Sequence, residues 1–341
     1  VPMPMNSDKA PEWWIYRASS YYKPVAMLYA LQYQVGKEAL YEAIRYYFNT
    51  YEFRHPYEMD MAQAFEEALG RELTWFFEQW IYTDKKLDYS LHRPTYKLGK
   101  NKIYCYQIPI QRQGEMVTPI ALKVTLEDGS EKYYWIPLKD GAPPPGDEYM
   151  VLPAWDQLRD PYSYYYANLQ LNNKITSIDY NPDHLLADMN PLDDELPLPD
   201  IQVDWLVERN FPPVHAYQIR HRPSLGYNAE DGVELGWRFK GSFLEYKHEF
   251  DLMLNVGLLN LSPDIYIGYE NPITAINNNL SWGISGFYMD GYRGGTLMLE
   301  YFHKLLYRGS ADWGFELAAE HRSHFNDNYP LFPEIWDKND D

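Results

Sequence analysis

Histidine pairs and one tyrosine-rich element are the residues here whose types and spacing could do chemistry. A zinc peptidase site shows H-E-x-x-H on a helix, because side chains one turn apart share a face and can hold one metal. The nearest string is "HEFDL", His248 to Leu252, with Leu252 standing where the second ligand should be. It also lies in a run of alternating apolar and polar residues, and a strand sends successive side chains to opposite faces. His321 and His324 in "EHRSH" are three residues apart in a similar run, which separates them as well. His55 in "RHPY" reads as a residue that orders a loop. No nucleophile elbow, phosphate loop or dinucleotide fingerprint occurs. There remains "SSYYKPVAML", residues 19–28, where Tyr21, Tyr22, Lys23 and Pro24 stand directly before an apolar helical run. Either these tyrosines pack at a helix entry, or one of them is a catalytic piece of a site whose metal ligands are elsewhere.

The elements around this stretch fall into three regions with different periods. Val25, Met27, Leu28, Leu31 and Val35 mark one helix, ended by Gly36. Ala39, Leu40, Ala43, Ile44 and Phe48 mark a second, and Met61, Ala64, Phe65 and Leu69 a third, with Asp60 near its start and Gly70 past its end. "ELTWFFEQWIY" is a fourth, dense in aromatics. From residue 89 to 190 short β-rich runs alternate with Gly-Glu and Asp-Gly turns, as in "GEMVTPIALKVTLEDGS", which predicts an antiparallel sandwich. "DGAPPPGD" is a rigid loop, since three consecutive prolines fix φ and remove donors. Residues 191–200, within "NPLDDELPLPD", read as an acidic, proline-bearing linker.

Beyond the linker, over residues 201–341, the period is two. Val233, Leu235, Trp237, Phe239 and Phe243 fall on one side of a strand, with Glu234, Gly236, Arg238, Lys240 and Ser242 on the other. In the next run Tyr246, Phe250, Leu252, Leu254, Val256 and Leu258 oppose Lys247, Glu249, Asp251, Asn255 and Gly257. Trp313, Phe315 and Leu317 oppose Asp312, Gly314, Glu316 and Glu320. Such runs of about 10 to 12 residues are long for a soluble sandwich and long enough to cross a bilayer when tilted. The region therefore reads as antiparallel, barrel-like and outer-membrane-type, with Trp237, Phe239, Leu252 and Leu254 facing lipid. A large soluble sheet is the alternative.

Bulk properties set limits on partners. A formal charge of −19 over 341 residues leaves no basic face for nucleic acid. The single cysteine, Cys105, can form no internal disulfide. With 33 Tyr and 11 Trp, the chain is rich in side chains suited to interfaces and to the girdles of membrane barrels. No apolar stretch is long enough for a membrane-crossing helix, and the start "VPMPMNSDKAPEWW" is not a signal peptide. It reads as the middle of a longer gene product.

The order of elements in the first region resembles the gluzincin zinc aminopeptidases related to aminopeptidase N, over the segment that follows their metal site. The matching strings are "PMPMNSD", "YYKP" and then "YQVGKEALYEAIRYYFNTYEFRHPYEMDMAQAFEEALGRELTWFFEQWIY". "GEMVTPIALKVTLEDGS" and "SIDYNPDHLLADMN" are similar to the β domain that follows in that family. "RPSLGYNAEDGVELGWRF" resembles a surface-antigen-type barrel segment appended in some bacterial members.

The resemblance implies a multidomain chain: residues 1–88 as the α-helical end of a peptidase catalytic domain, residues 89–190 as the β-sandwich, then the linker and the barrel-like region. It implies that Tyr21, two before the lysine, points its hydroxyl at the tetrahedral intermediate, and that Tyr16 matches a second tyrosine near the site. Zinc is implied for the full-length protein, with free-N-terminus peptides as substrates. The family's zinc ligands, general-base glutamate and amine-binding carboxylates have no counterpart here, so this chain alone should not hydrolyse peptides. An upstream segment or partner chain carrying the zinc site, and outer-membrane lipid, are the implied partners. The rival reading is a non-catalytic outer-membrane scaffold that keeps the peptidase-like helices as a binding surface.

Overall fold

The computed structural model describes residues 2–4, 10, 13–99, 102–139, 141–157, 162–197, 201–205, 213, 216–244, 247–273, 276–277, 279–303 and 313–325. Tyr246, Asp312, most of "PMPMNSD" and the last three linker positions lie outside the described residues. One compact unit covers Val1–Leu198 and a second begins at Pro199.

The first unit opens with α1 (Trp13–Arg17), a π-helical turn (Ala18–Tyr22) and α2 (Lys23–Val35), followed by α3 (Lys37–Tyr51), α4 (Glu58–Leu69) and α5 (Thr74–Tyr82). Pro24 sits in the first turn of α2, where a missing N–H costs nothing. Gly36, at φ 82°, ends α2 as its spacing predicts. Gly70, at φ 64°, closes α4 in the left-handed region, and its N–H donates to the Glu66 carbonyl at 2.8 Å. The Glu66 side chain then accepts from the Leu73 N–H (2.6 Å) and the Thr74 hydroxyl (2.9 Å), capping α5 from the neighbouring helix. Phe65, Leu73, Phe76 and Phe77 are fully buried around this corner, with Phe65 and Phe77 edge-to-face at 5.8 Å.

Two residues placed on buried helix stripes by their spacing are exposed: Val25 at 50% and Phe48 at 62%. In α2 the stripe that packs is Met27, Ala30, Leu31 and Gln34, at intervals of three and four, and Val25 lies off it.

The sandwich holds two sheets. In the first, β3 (Tyr104–Arg112) takes β1 (Tyr89–Leu91) and β2 (Thr95–Leu98) along one edge and β7 (Tyr164–Leu171) along the other. The second runs β6 (Tyr149–Val151), β5 (Glu131–Ile136), β4 (Ile120–Leu126), β8 (Ile175–Asp179), β9 (Glu195–Leu196). Trp135, Ile108, Ile110, Ile120 and Leu122 are fully buried in its core. The expectation of an all-antiparallel sandwich needs correction, because β5 and β6 pair in parallel. The connection that contains the three prolines is long enough to return the chain to the same end of the sheet, as a parallel pair requires. The expected linker also differs: Pro191–Asp193 form a 3-10 turn and Glu195–Leu196 pair with β8. Asp194, only 4% exposed, is held inside by Tyr180 and Asn181, which outweighs the acidic, proline-bearing composition.

Tyr33 of α2 joins helices to sandwich. Its buried hydroxyl accepts from the Ala121 N–H at 2.6 Å and donates to the Tyr180 carbonyl at 2.8 Å. Tyr33→Phe should therefore destabilise the unit by about 1–3 kcal/mol, since it orphans a buried N–H and a carbonyl. Urea titration followed by tryptophan fluorescence measures it.

The second unit is one eight-stranded sheet in chain order: β10 (Ile201–Trp205), β11 (Tyr217–Asn228), β12 (Gly232–Phe243), β13 (Lys247–Gly257), β14 (Pro263–Pro272), β15 (Leu280–Met289), β16 (Tyr292–His303) and β17 (Trp313–His324). All pairs are antiparallel except β10 with β11, a parallel start that departs from the expected pattern. Asp290 and Gly291, both at positive φ, make the tight β15–β16 hairpin. The register aligns Trp237 with Leu254 and Leu254 with Ile265, so one face is a continuous, solvent-exposed apolar surface that includes Leu235, Val256, Ile284, Leu297 and Leu317. The opposite face carries Arg238 paired with Asp251, and Lys240 3.4 Å from the same carboxylate. Phe243 does not follow the alternation. A bulge between Gly241 and Phe243 shifts the register by one, and the ring is fully buried. Among the described residues no pairing joins β10 to β17.

Candidate active-site segment

Tyr21 lies on the π-helical turn between α1 and α2. Such one-turn insertions cost hydrogen-bond geometry and concentrate at functional positions. Here α1 buries Ile15 and the turn buries Ser19, while Tyr21 stays 57% exposed. Tyr16 meets Tyr21 edge-to-face, with centroids 6.1 Å apart and planes at 82°. The two sequence-predicted site residues are thus brought together, through their rings.

The turn is tethered on both sides. Ser19 Oγ donates to the Tyr16 carbonyl at 3.2 Å. Lys23 Nζ donates to the Thr83 carbonyl at 2.6 Å, pinning the start of α2 to the end of α5. Burial pulls the Lys23 ammonium below its ordinary pKa, against the attraction of Asp84. The Arg17 guanidinium lies over the Trp13 and Tyr22 rings at 5.3 and 5.4 Å. Met3 N–H donates to the Ile81 carbonyl at 2.8 Å, so Met3 also rests on α5. The lysine after the tyrosine pair is therefore a strut for the turn, and the aromatic helix α5 is its support.

Trp13, Tyr21, Tyr22, Val25 and Tyr29 leave an uncovered, largely aromatic face along α1 and α2. Among the described residues the histidines do not gather into a site. His248 Nδ1 of β13 contacts the Tyr269 hydroxyl of β14 at 2.8 Å, the His324 and Tyr292 rings lie tilted with centroids 4.6 Å apart, and His55 stands exposed in the α3–α4 connection.

Among the described residues, two groups of three carboxylates bring their oxygens within 4.8 Å of one another: Asp88, Asp188 and Asp193, and Asp231, Glu234 and Asp264. Neither group includes a residue of the helices or a nitrogen donor. Catalytic zinc is held mostly by imidazole nitrogen, whereas all-oxygen sets suit harder cations. The described residues do not fit a catalytic zinc.

One further polar group was not legible in the sequence. The Tyr180 hydroxyl stands between Asp188 and Asp194, bonding both carboxylates, the latter at 2.8 Å. Asp188 also accepts the Tyr89 N–H (2.9 Å) and the Asn190 N–H (2.7 Å), one on each oxygen. Asp194 accepts from Asn181 Nδ2 at 3.2 Å. A phenol has one proton and cannot donate to both acids. Asp188 accepts a backbone N–H on each oxygen, which suits the charged form, so a proton on Asp194 completes the chain Asp194 O–H to Tyr180 O–H to Asp188 carboxylate. Burial, with nearby Asp193 and Asp179, pushes Asp194 up to about 8. Asp188 is also raised, by burial and by the Asp194 charge. The residues are scattered from 89 to 194, which is why spacing gave no signal; the one sequence cue was aspartates among "SIDYNPDHLLADMNPLDD".

Residues 4–80, under a quarter of the chain, match the family model of the peptidase family M1 domain. No curated protein matches the chain.

Proposed function

We propose, from a helical segment similar to the peptidase family M1 domain, that residues 1–88 close the catalytic cleft of a zinc aminopeptidase and supply its oxyanion donor, Tyr21. The observation that carries the reading is a tyrosine held outward on a tethered π turn, with its ring edge set by Tyr16. A phenol O–H fixed where negative charge develops stabilises the transition state more than the ground state. The uncovered face of Trp13, Tyr22, Val25 and Tyr29 is where the remainder of such a domain would pack. Zinc would be held by residues outside this chain, on an upstream segment or partner.

The substrates on this reading are peptides and proteins with a free N-terminus. The full-length protein should cleave aminoacyl-anilides, lose that activity to a chelator, and leave N-acetylated analogues intact. Equal cleavage of blocked and free substrates would contradict it. If zinc and activity are both absent, the peptidase-derived helices are a scaffold.

The second part of the proposal is that residues 201–341 anchor the protein in a bacterial outer membrane as a β-barrel segment. Strands of 10 to 12 residues support it, together with an exposed apolar face opposite a face of paired charges. Leu254→Arg should then cost roughly 2–4 kcal/mol at the bilayer midplane. Urea unfolding in phospholipid vesicles measures it, and a cost near zero would contradict the lipid-facing assignment.

A further inference from the structure

The second unit contains a carboxylate group that the aminopeptidase reading does not use. Three connections, the β11–β12 turn at Asn228–Gly232, the β13–β14 turn beyond Gly257 and the β15–β16 hairpin at Asp290, meet at one end of the sheet. Asp231, Glu234 and Asp264 converge there, with exposures of 0%, 8% and 3%. Their oxygens lie within 4.8 Å of one another, about twice a Ca²⁺–oxygen distance.

Their hydrogen bonds leave this charge uncompensated. Asn228 Nδ2 donates to Asp231 Oδ2 at 3.0 Å and to Glu234, and the Asp290 N–H donates to Asp264 Oδ1 at 3.3 Å. No ion pair of the described residues reaches the three acids. Asp231 Oδ1, wholly buried within the group, has no hydrogen-bond donor. Asn255, directly across from Asp264 in register and 5% exposed, likewise has an Oδ1 with no donor. The backbone makes room for the group: a Cβ on Gly257 would come within 2.3 Å of Asp231 Cβ, and one on Gly226 within 2.6 Å of Glu234 Oε2. Buried charges without a partner are costly, and a set of carboxylates is what a hard cation takes.

We propose that Asp231, Glu234 and Asp264 bind a hard divalent cation of the Ca²⁺ type. The ion would tie the β11–β12 turn to strands β12 and β14 at one end of the sheet. Zinc is disfavoured by the absence of nitrogen or sulfur donors.

The test uses the full 341-residue chain, stripped with EGTA, then titrated with CaCl₂ or MgCl₂ alone by calorimetry, with thermal midpoints taken alongside. Saturating Ca²⁺ should raise the midpoint by about 5–10 °C at a hundredfold excess over Kd. Asp231→Asn and Asp264→Asn should each weaken Ca²⁺ at least tenfold. Both should fold, since neutralising one acid relieves repulsion, and a raised metal-free midpoint checks that. Mg²⁺ should bind more weakly than Ca²⁺, because it resists dehydration in a closed set of side chains. The proposal is overturned if Ca²⁺ gives neither heat nor a midpoint shift, or if the response survives in both variants. It is also overturned if only lowered pH stabilises the chain, for then the acids share protons and take no ion. None of these results depends on peptidase activity.

Discussion

On the proposed aminopeptidase reading, Tyr21→Phe in the full-length protein should lower kcat by about 10²–10³-fold, the loss that follows removal of one oxyanion donor. KM and zinc stoichiometry should stay unchanged, because on that reading the phenol proton is used only as charge develops on the scissile carbonyl oxygen. The ring remains, and with it the edge contact to Tyr16. Tyr22→Phe is the control: that ring is exposed to a similar degree, and the Arg17 contact made by its face survives loss of the hydroxyl. Steady-state kinetics on an aminoacyl-anilide, with zinc measured on the same preparations, reads both. A Tyr21→Phe enzyme with wild-type kcat would remove the residue from the chemistry and leave it a packing tyrosine.

Stability of the first unit falls as pH rises from about 4 to 8. Asp194 titrates near 8 when folded and near 3.9 when unfolded, so across this window the folded state holds one proton more. Stabilisation is complete below the unfolded value and is lost as pH passes the folded one. At about 1.4 kcal/mol for each tenfold change in proton affinity, the loss is bounded at roughly 6 kcal/mol. Asp194→Asn mimics the protonated acid, with its NH₂ toward the Tyr180 oxygen and its carbonyl accepting from Asn181. It should lessen the slope, leaving the part due to Asp179, which burial pushes up to about 6, and be more stable than wild type above pH 8. Asp188→Asn should instead destabilise by about 1–3 kcal/mol, because its NH₂ must face one of two backbone N–H donors that now use its oxygens. Chemical denaturation at pH 5, 7 and 9 checks the three proteins together. A parallel loss in all three would contradict the shared-proton arrangement.

How much was legible follows from the range of each signal. The helix ends at Gly36 and Gly70 could be read because a left-handed residue leaves a local mark, and so could the period-two runs, because alternation is local. The parallel β5–β6 pair and the strand made by Glu195–Leu196 depend on partners far along the chain. Local composition pointed to an antiparallel sheet and a linker. Phe243 is buried at the strand end where the β12–β13 register shifts, which period-two spacing alone does not mark. For the site, Tyr21 could be singled out only through the surrounding motif, because one tyrosine among 33 has no distinguishing spacing. Its π turn and the Lys23 strut to Thr83 needed coordinates. The acids at 188 and 194, and at 231, 234 and 264, are united by folding alone.

The most direct test of the central claim is the intact mass of native material purified through a tag on this segment, with zinc determined on the same sample. A mass well above 40.4 kDa, or a co-purifying chain, with about one zinc per molecule is the predicted result. A mass equal to these 341 residues, with no partner and no zinc, would contradict it and leave a scaffold built from peptidase parts.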